Sequence, residues 1–332
     1  MADRNLDVIG VGNAIVDVIA KAEDAFLKAH DIPKGGMILI DEVRAKEIYG
    51  AMAAGVEISG GSAANSTACV ASLGGNAGFI GKVAEDTLGE IFRHDLHAIG
   101  VEFNVTSLED GPETGRCLVN VTPDAQRSMT TFIGAAEHAS ETDVDPEQIK
   151  RGAYTFFEGY LFEPEIPRKA FYKAAEIAKA NGKKTALTLS DSGCVERQFD
   201  AFHSFIDQYV DVLLANEDEA AALFGSDDLD VVAEKARALC PLTAVTRSER
   251  GSFLIPREGD PVPVDAVIPP RLEDTTGAGD AYAAGLLFGL ARGFTLERAG
   301  ALGSLAASEI ISHFGARPSQ SLKKMAEDAG LL

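Results

Sequence analysis

Short apolar runs alternate with amphipathic segments over the second half of the chain. Short runs predict buried strands, and apolar residues spaced three and four apart predict helices. The predicted elements are a strand at 154–158, a helix at 167–181, strands at 184–189 and 212–215, helices at 217–224 and 229–239, a strand at 242–246 and a helix at 280–292. Strands alternating with helices of about 10–15 residues are typical of a parallel sheet covered on both faces.

The first part of the chain has shorter strand-like segments separated by glycine turns, among them 7–20, 36–40, 78–83 and 115–121. Segments 116–122 and 127–133 flank a turn at 123–126 with no helix between them, which predicts a β-hairpin. We expect the hairpin to belong to a small β-lid built from about 12–45 and 105–135. Because no Pro-, Ser- or charge-rich linker interrupts the chain, we expect a single domain over 1–332.

The charge balance excludes one class of partner. Of 332 residues, 30 are Lys or Arg and 51 are Asp or Glu, which gives a net charge of -21. Such a surface repels a phosphate backbone, so nucleic acid is not an expected partner. An enzyme that handles phosphate can still be acidic overall if backbone amides, helix N-termini and Mg²⁺ make its pocket locally positive.

Cysteine spacing and hydropathy bear on the compartment. Cys69, Cys117, Cys194 and Cys240 lie far apart without Cys-x-x-Cys spacing, so we expect reduced thiols rather than zinc ligands or disulfides. No apolar run reaches the roughly 18 residues of a membrane span, and residues 1–5 lead directly into a strand-like segment. We therefore expect a cytoplasmic protein with no membrane partner.

Three common nucleotide-binding motifs are incomplete or missing. Ile15 occupies the third glycine position of the dinucleotide fingerprint that begins at Gly10. The Gly-Lys pair at 81–82 lacks both the earlier P-loop glycine, replaced by Asn76, and the following hydroxyl, replaced by Val83. The set of motifs found in protein kinases is absent.

Residues 274–280 read DTTGAGD and lead into the small-residue helix AYAAGLL. A Gly-Ala-Gly turn that opens a helix directs backbone N–H groups and the positive end of the helix dipole at one point, which suits an anion. Asp280 would then lie in the first helical turn and could accept a proton from a substrate hydroxyl. On local features alone, Asp280 could equally be a helix cap beside a tight turn.

Residues 59–66 read SGGSAANS and form the second candidate motif. Gly60 and Gly61 would permit close approach of a ligand to the backbone, and Ser62 could cap the following helix. Asn65 would point from the first turn toward the same ligand. The alternative is a capped, tightly packed helix with no ligand.

Together these motifs resemble the two signatures of the ribokinase-like (pfkB) carbohydrate and nucleoside kinases. GKVAEDTLG at 81–89, Thr-Gly at 114–115 and the Asn-x-x-Glu element at 216–219 also resemble that family, in the right order along the chain. The resemblance implies a three-layer α/β/α core with a mostly parallel central sheet and a small β-sheet lid. It also implies transfer of the γ-phosphate of ATP to an alcohol. The implied catalytic residues are the base Asp280 and an anion hole of Gly277, Ala278 and Gly279.

Within the family the resemblance is closest to adenosine kinases. GVGNAIVD at 10–17 is similar to their segment in which an aspartate holds the ribose hydroxyls, a role that Asp17 inherits. Segments 114–117 and 124–128 resemble their lid. The implied acceptor-binding residues are Asn13, Asp17, Gly60, Gly61, Ser62, Asn65 and the lid residue Arg127. Because sugar kinases of the family share the aspartate, Asp17 supports a furanose diol better than it supports adenine.

The resemblance also implies a nucleotide side. Its ATP-binding residues would be Asn216, Thr246, Gly251, Thr276, Gly277, Gly279, Phe314 and Gly315. Asn216 and Glu219 would organise Mg²⁺ largely through water. Asp274 and Ser319 match positions that bind K⁺ in potassium-activated relatives, so K⁺ activation is a hypothesis. Ser248 replaces a glycine that many members have at the nucleotide edge, which puts the shape of that loop in question.

Three functions stay open at this point. The first is phosphorylation of a nucleoside, the 5′-OH of adenosine above all, with a place in purine salvage. The second is phosphorylation of a free sugar such as ribose or fructose. The third is a non-catalytic nucleotide-binding regulator, against which the intact Asp280 argues. A β-lid can cap a monomer or pair in a homodimer, so either oligomeric state is compatible with the sequence.

Overall fold

The computed structural model describes residues 5–124 and 126–332. Residues 1–4 of the N-terminal run and Ala125 of the predicted turn lie outside the described residues. In chain order the strands are β1 (Leu6–Val11), β2 (Ile15–Lys21), β3 (Met37–Leu39), β4 (Val56–Gly60), β5 (Ala77–Ile80), β6 (Thr114–Val121), β7 (Arg127–Gly134), β8 (Gly152–Glu158), β9 (Lys184–Thr188), β10 (Val212–Asn216), β11 (Leu242–Thr246), β12 (Ser252–Pro256) and β13 (Val262–Val264).

The helices follow the amphipathic segments. They are α1 (Asp24–Ala29), α2 (Glu42–Ala51), α3 (Ser62–Ser72), α4 (Thr87–Ala98), α5 (Pro146–Arg151), α6 (Glu165–Ala180), α7 (Ser192–Arg197), α8 (Phe199–Tyr209), α9 (Glu217–Phe224), α10 (Leu229–Leu239), α11 (Ala278–Ala291), α12 (Leu296–Ile310) and α13 (Leu322–Asp328). Short 3₁₀ turns lie at Ala135–His138, Glu141–Asp143, Gly159–Phe162 and Ser248–Arg250. Among the described residues, no helix is long and apolar enough to cross a membrane.

Eight strands form the central sheet in the order β13-β12-β11-β10-β9-β8-β1-β5. The strands from β11 to β5 pair in parallel, whereas β12 and β13 pair antiparallel at one edge. The predicted mostly parallel α/β core is therefore confirmed. Because the carboxyl ends of parallel strands meet at one edge, β1, β8, β10 and β11 bring the segments that follow them together there.

Helices cover both faces of this sheet. On one face α11 packs against both α3 and α12, with α3 and α11 over β1 and α12 over β12 and β13. On the other face α6, α8 and α10 form a contiguous layer. Helix α11 is buried along residues 281–289 because it lies between the sheet and α12. A Cβ at Gly285 would lie 2.5 Å from the backbone of α12, so the small residues of this helix allow the two helices to pack closely.

The small sheet has the strand order β3-β7-β6-β2-β4. Its β6–β7 pair is the antiparallel hairpin that the sequence predicts. The predicted lid boundaries are incomplete, because β4 (Val56–Gly60) also joins the sheet through antiparallel pairing with β2. The sequence of β4 is short and runs directly into the glycine motif, so its strand pattern is hard to separate from that motif.

The strand-like segment 7–20 divides between the two sheets. Its first part is β1 of the central sheet and its second is β2 of the small sheet, and residues 12–14 connect them. One apolar cluster fills the central sheet and its helices, while a second lies under α1 and α2 on the small sheet. The space between the two sheets therefore opens at the carboxyl ends of the central strands.

Candidate active site

Asp280 lies in the first turn of α11, as the sequence predicts. Its carboxylate accepts a hydrogen bond from the Ser62 hydroxyl at 2.6 Å and another from the Asn65 side-chain amide at 3.1 Å. Ser62 is not the helix cap that its position suggested, since the N-cap of α3 is Gly61 and the Ser62 hydroxyl turns to Asp280 instead. The two sequence motifs thus meet at one carboxylate.

The turn before α11 is the segment predicted to form the anion hole. Gly277 is the N-cap of α11 and has a φ of 81°, a left-handed conformation that favours glycine. The Ala278 N–H donates to the Thr275 carbonyl at 3.2 Å, so in this conformation it is already engaged. The predicted anion hole therefore depends chiefly on the amides of Gly277 and Gly279 and on the helix dipole.

The paired glycines accommodate protein atoms. A Cβ at Gly60 would lie 2.6 Å from the Asp17 carboxylate, and a Cβ at Gly61 would lie 2.1 Å from the Asn13 carbonyl oxygen. These distances give a structural reason for glycine at both positions. Glycine here makes room for Asp17 on β2 and for the loop after β1.

Two amide side chains present unpaired acceptors. Asn13 and Asn65 are 5% and 6% exposed, and the Oδ1 atom of each has no hydrogen-bond partner among the described residues. A buried carbonyl oxygen without a donor is costly. Two such oxygens near Asp280 suit a ligand that brings hydroxyl donors.

Two carboxylates of the site have raised pKa values. Burial raises the pKa of Asp17 to about 6, while Arg317 and Arg127 lower it and Asp280 raises it. Burial also raises the pKa of Asp280, against the hydrogen bonds from Ser62 and Asn65 and the charge of Arg317. Because the charge of Asp280 raises the pKa of Asp17, the carboxylate of the small sheet lies within electrostatic range of Asp280.

Arg317 is a site residue that the sequence reasoning missed. Its guanidinium donates to the Ser59 carbonyl at 2.9 Å, the Ser59 hydroxyl at 3.1 Å and the Ala64 carbonyl at 2.9 Å. Glu158 at the end of β8 was also missed. The available signals were a charged residue within the C-terminal Gly-Ala-Arg segment and a carboxylate at the end of an otherwise apolar strand.

On the nucleotide side, Asn216 and Glu219 form a reciprocal cap at the start of α9. The Asn216 N–H and side-chain amide donate to the Glu219 carboxylate at 3.0 and 2.7 Å, and the Glu219 N–H donates back at 2.9 Å. Burial raises the pKa of Glu219 to about 7, and Asp191, Asp218 and Asp280 add to the rise. This surplus of negative charge fits a divalent cation held through water.

A direct metal cage is not present in the part of the chain that the structure describes, where no three His, Cys, Asp or Glu side chains are grouped to hold a metal. Mg²⁺ commonly uses one or two carboxylates, water and substrate phosphates. Asn216 and Glu219 are therefore suitable only as a water-mediated Mg²⁺ site.

The loop predicted to lie at the nucleotide edge contains the departure at Ser248. Ser248 has a φ of 51°, so the serine adopts the left-handed conformation for which glycine is usual. The nearby Gly251 has a φ of 77°, and a Cβ there would lie 2.0 Å from the Val264 carbonyl oxygen. Thr246 ends β11, and its hydroxyl donates to the Ala215 carbonyl at 3.4 Å.

Asp274 joins the lid to the C-terminal segment. Its carboxylate pairs with the Arg127 guanidinium of β7 and accepts the N–H groups of Thr276 at 3.0 Å and Gly315 at 3.2 Å. Phe314 beside them is 47% exposed. Arg127 thus reaches from the small sheet to the loop that leads into the predicted anion hole.

The two residues matched to a K⁺ site have other partners. Asp274 already holds a guanidinium, and the Ser319 hydroxyl donates to Glu309 at 2.7 Å. As arranged here, these side chains do not fit a bound K⁺. The four cysteines are free and buried.

Comparisons with known proteins agree with this geometry. The sequence profile of the pfkB family carbohydrate kinases matches residues 29–323. Adenosine kinase 2 of Arabidopsis thaliana is 25% identical over 93% of this chain and 94% of its own length.

Two solved structures are similar over nearly the whole chain. Adenosine kinase from Sinorhizobium meliloti is 45% identical, covers 98% of this chain and 99% of its own, and superposes with a TM-score of 0.91. A probable sugar kinase from Rhizobium etli is 41% identical over 99% of this chain and 100% of its own, with a TM-score of 0.92.

Proposed function

Because this chain belongs to the pfkB family of carbohydrate kinases, we propose that it transfers the γ-phosphate of ATP to the 5′-hydroxyl of a nucleoside, adenosine above all. The observation that carries the proposal is the Asp280 carboxylate, held by Ser62 and Asn65 beside the glycine turn of α11. A carboxylate fixed next to an anion site is suited to deprotonate an alcohol that attacks a phosphoryl group.

Each part of the site has a task in this reaction. Asp280 takes the proton of the attacking hydroxyl. The amides of Gly277 and Gly279 and the positive end of α11 stabilise charge on the transferring phosphoryl group. Mg²⁺, when bound near Asn216 and Glu219 through water, would neutralise phosphate charge. The small sheet excludes water, which would otherwise compete as an acceptor.

The hydroxyls of the substrate would donate hydrogen bonds to side-chain oxygens of the site. Ionised Asp17 can accept both hydroxyls of a vicinal diol, and the free amide oxygens of Asn13 and Asn65 can accept further hydroxyl donors. These groups suit a furanose. They do not by themselves distinguish a nucleoside from a sugar.

The surroundings of Asp17 favour a nucleoside. Cross-strand neighbours share one face of a sheet, and those of Asp17 are Ile58 on β4 and Cys117 on β6. Thr131 on β7 is the next neighbour along this face, and its hydroxyl already donates to the Cys117 sulfur at 3.4 Å. A mainly apolar face around one carboxylate suits the flat aromatic ring of a base attached to a diol better than a sugar with hydroxyls on all sides.

The test is one ADP-release assay with adenosine, guanosine, inosine, ribose and fructose as acceptors. We expect adenosine to give the highest kcat/KM. Asp280→Asn should lower kcat by about 10²–10⁴-fold and leave adenosine binding measurable by calorimetry. Turnover of ribose or fructose without any nucleoside would replace the proposal with a sugar kinase. Binding of nucleotides without turnover of any acceptor would indicate a regulator.

A further inference from the structure

Glu158 is a buried carboxylate that the reaction described above does not use. It is the last residue of β8 and has 0% exposure. Val11 pairs with Phe157 in the β1–β8 register. The residues that follow them, Gly12 and Glu158, are therefore neighbours at the edge where the site opens. A Cβ at Gly12 would lie 2.3 Å from a Glu158 carboxylate oxygen, so the loop after β1 fits closely around this group.

Each oxygen of Glu158 holds a different segment of the chain. Oε1 accepts the Asn13 N–H at 2.8 Å, and Oε2 accepts the Ala63 N–H at 2.8 Å. Asn13 belongs to the loop that leads into the small sheet, and Ala63 is in the first turn of α3. Hydrogen bonds from backbone N–H groups to a carboxylate are stronger than those between neutral groups. One side chain therefore fixes the separation of two backbones.

Both segments lead to groups that act in the site. The loop carries the unpaired Asn13 amide oxygen, and the first turn of α3 carries Ser62 and Asn65, which hold Asp280. A displacement of Asn13 relative to α3 would change the distance from the acceptor to its base. Displacements of about 1 Å between reacting groups are enough to cost about a hundredfold in rate.

The charge of Glu158 depends on its surroundings. Burial raises its pKa to about 7, and the hydrogen bonds from Ala63 and Asn13 lower it. Asp280 on α11 is the charged neighbour, and it raises the pKa further. The phenol of Tyr160, on the turn after β8, has its own pKa raised in part by Glu158. Protonation of Glu158 would weaken its hold on the two N–H groups near neutral pH.

We propose that Glu158 is a positioning residue of the phosphoryl transfer. It fixes the loop at Asn13 relative to the first turn of α3, which carries the two residues that hydrogen-bond to Asp280. The inference rests on the proposed function for its kinetic consequences. A neutral glutamine cannot replace the carboxylate, because its amide has one acceptor oxygen for two N–H donors. Its NH₂ group would face the other donor.

The test compares Glu158→Gln and Glu158→Asp with a matched control, Asp7→Asn. Asp7 also accepts a backbone N–H, that of Asn76 at 2.7 Å, but it lies at the opposite end of β1 from the site. For Glu158→Gln we expect an acceptor KM about tenfold higher and a kcat about tenfold lower, with the KM of ATP within about twofold. Glu158→Asp should show the same pattern, and Asp7→Asn should keep all three values within about twofold.

Two further readouts separate positioning from loss of fold. The wild-type kcat/KM for the acceptor should begin to fall as the pH drops below about 7, whereas in Glu158→Gln the fall should begin only near pH 6, where Asp17 titrates. Hydrogen exchange at the Asn13 and Ala63 amides should accelerate in both Glu158 variants and remain slow in Asp7→Asn. A folded Glu158→Gln with wild-type KM, kcat and exchange would overturn the proposal.

The exchange measurement also keeps the two proposals distinguishable. If the wild type turns over no nucleoside, the proposed function fails, whereas slow exchange at Asn13 and Ala63 that depends on Glu158 still supports the structural tie. If Glu158→Gln does not fold, the positioning role is tested by Glu158→Asp and by the pH profile of the wild type. Unchanged exchange in Glu158→Asp together with a wild-type profile that lacks the limb near pH 7 would contradict the positioning role.

Discussion

The Arg317 guanidinium donates two hydrogen bonds to Ser59, one to the backbone carbonyl at 2.9 Å and one to the side-chain hydroxyl at 3.1 Å. A third bond reaches the Ala64 carbonyl in α3. The C-terminal segment is thereby tied to strand β4 and to the helix that carries Asn65. The same guanidinium lowers the pKa values of Asp17 and Asp280, so it acts on both carboxylates of the site.

Arg317→Met should therefore change the pH dependence of the reaction as well as its rate. Without the positive charge, the pKa values of Asp17 and Asp280 rise, and a smaller fraction of each is ionised at neutral pH. We expect kcat/KM to fall by about a hundredfold near pH 7 and to recover partly near pH 9. Arg317→Lys keeps the charge but loses the forked geometry, so its pH limb should stay close to that of the wild type. A Met variant whose loss is the same at every pH would contradict the electrostatic role.

The raised pKa of Asp17 predicts that a higher pH improves acceptor binding but lowers the free energy of unfolding. With a pKa of about 6, its carboxylate is ionised above that value and can then accept both hydroxyls of a diol. The acceptor KM should rise as the pH falls through about 6, and Asp17→Asn should have a high KM from which the rise near pH 6 is missing. Steady-state kinetics between about pH 5 and 8 would measure this. A wild-type KM that stays constant through this range would contradict it.

Stability should change the other way. Because the pKa of Asp17 is raised in the folded state, its protonated form favours folding, and that contribution is lost as the pH rises from about 4 through about 6. Asp17→Asn should therefore be more stable than the wild type by about 1–3 kcal/mol near pH 8, with no difference near pH 4. Urea unfolding at the two pH values measures it, and a destabilised variant near pH 8 would be the contrary result.

The sequence predicts the elements of the central sheet well because their signals are local. The helices 217–224 and 229–239 and the strand 242–246 are confirmed at their predicted bounds. Helix α9 begins at a reciprocal Asn216–Glu219 cap, a signal contained within four residues. By contrast, β4 belongs to the small sheet through pairing with β2, and a short strand does not reveal its partner in sequence.

The same contrast between local and long-range signals applies to the candidate site. Asp280 and the glycine turn are visible in one continuous motif, whereas the contacts that tune them join distant segments. Arg317 and Ser59 are separated by 258 positions, and Glu158 and Asn13 by 145. The sequence signals of Arg317 and Glu158 do not reveal which distant segments these side chains contact. Only the fold brings them to the carboxyl edge of the sheet.

The ion pair between Arg127 and Asp274 leads to a prediction about monovalent cations. Both side chains are nearly buried, at 9% and 5% exposure, and the guanidinium supplies positive charge at the position predicted for K⁺. We expect rates in Na⁺ and K⁺ buffers to agree within about twofold. Arg127→Met leaves the Asp274 carboxylate without this partner, so its residual activity should become more sensitive to K⁺ than that of the wild type. Strong K⁺ activation of the wild type would instead support the site expected from Asp274 and Ser319.

Gly251 gives a prediction that separates steric from backbone effects at the nucleotide edge. Gly251→Ala adds a Cβ only 2.0 Å from the Val264 carbonyl oxygen at a residue whose φ is 77°. Gly259 lies between β12 and β13 with a φ of 92°, and a Cβ there meets nothing within 4 Å. Gly259→Ala should cost about 1–2 kcal/mol of unfolding free energy through its backbone alone, and Gly251→Ala at least about 2 kcal/mol more.

The kinetic consequences of the two variants should differ as well. The turn at Gly251 follows β11 and Thr246 at the carboxyl edge of the sheet. Gly259 follows β12, at the opposite end of that strand. Because the steric clash at Gly251 moves the β12 end nearest this edge, Gly251→Ala should raise the KM of ATP and leave the acceptor KM within about twofold. Gly259→Ala should change neither. Equal losses of stability in the two variants, or a larger effect on the acceptor than on ATP, would contradict the assignment of this loop to the nucleotide.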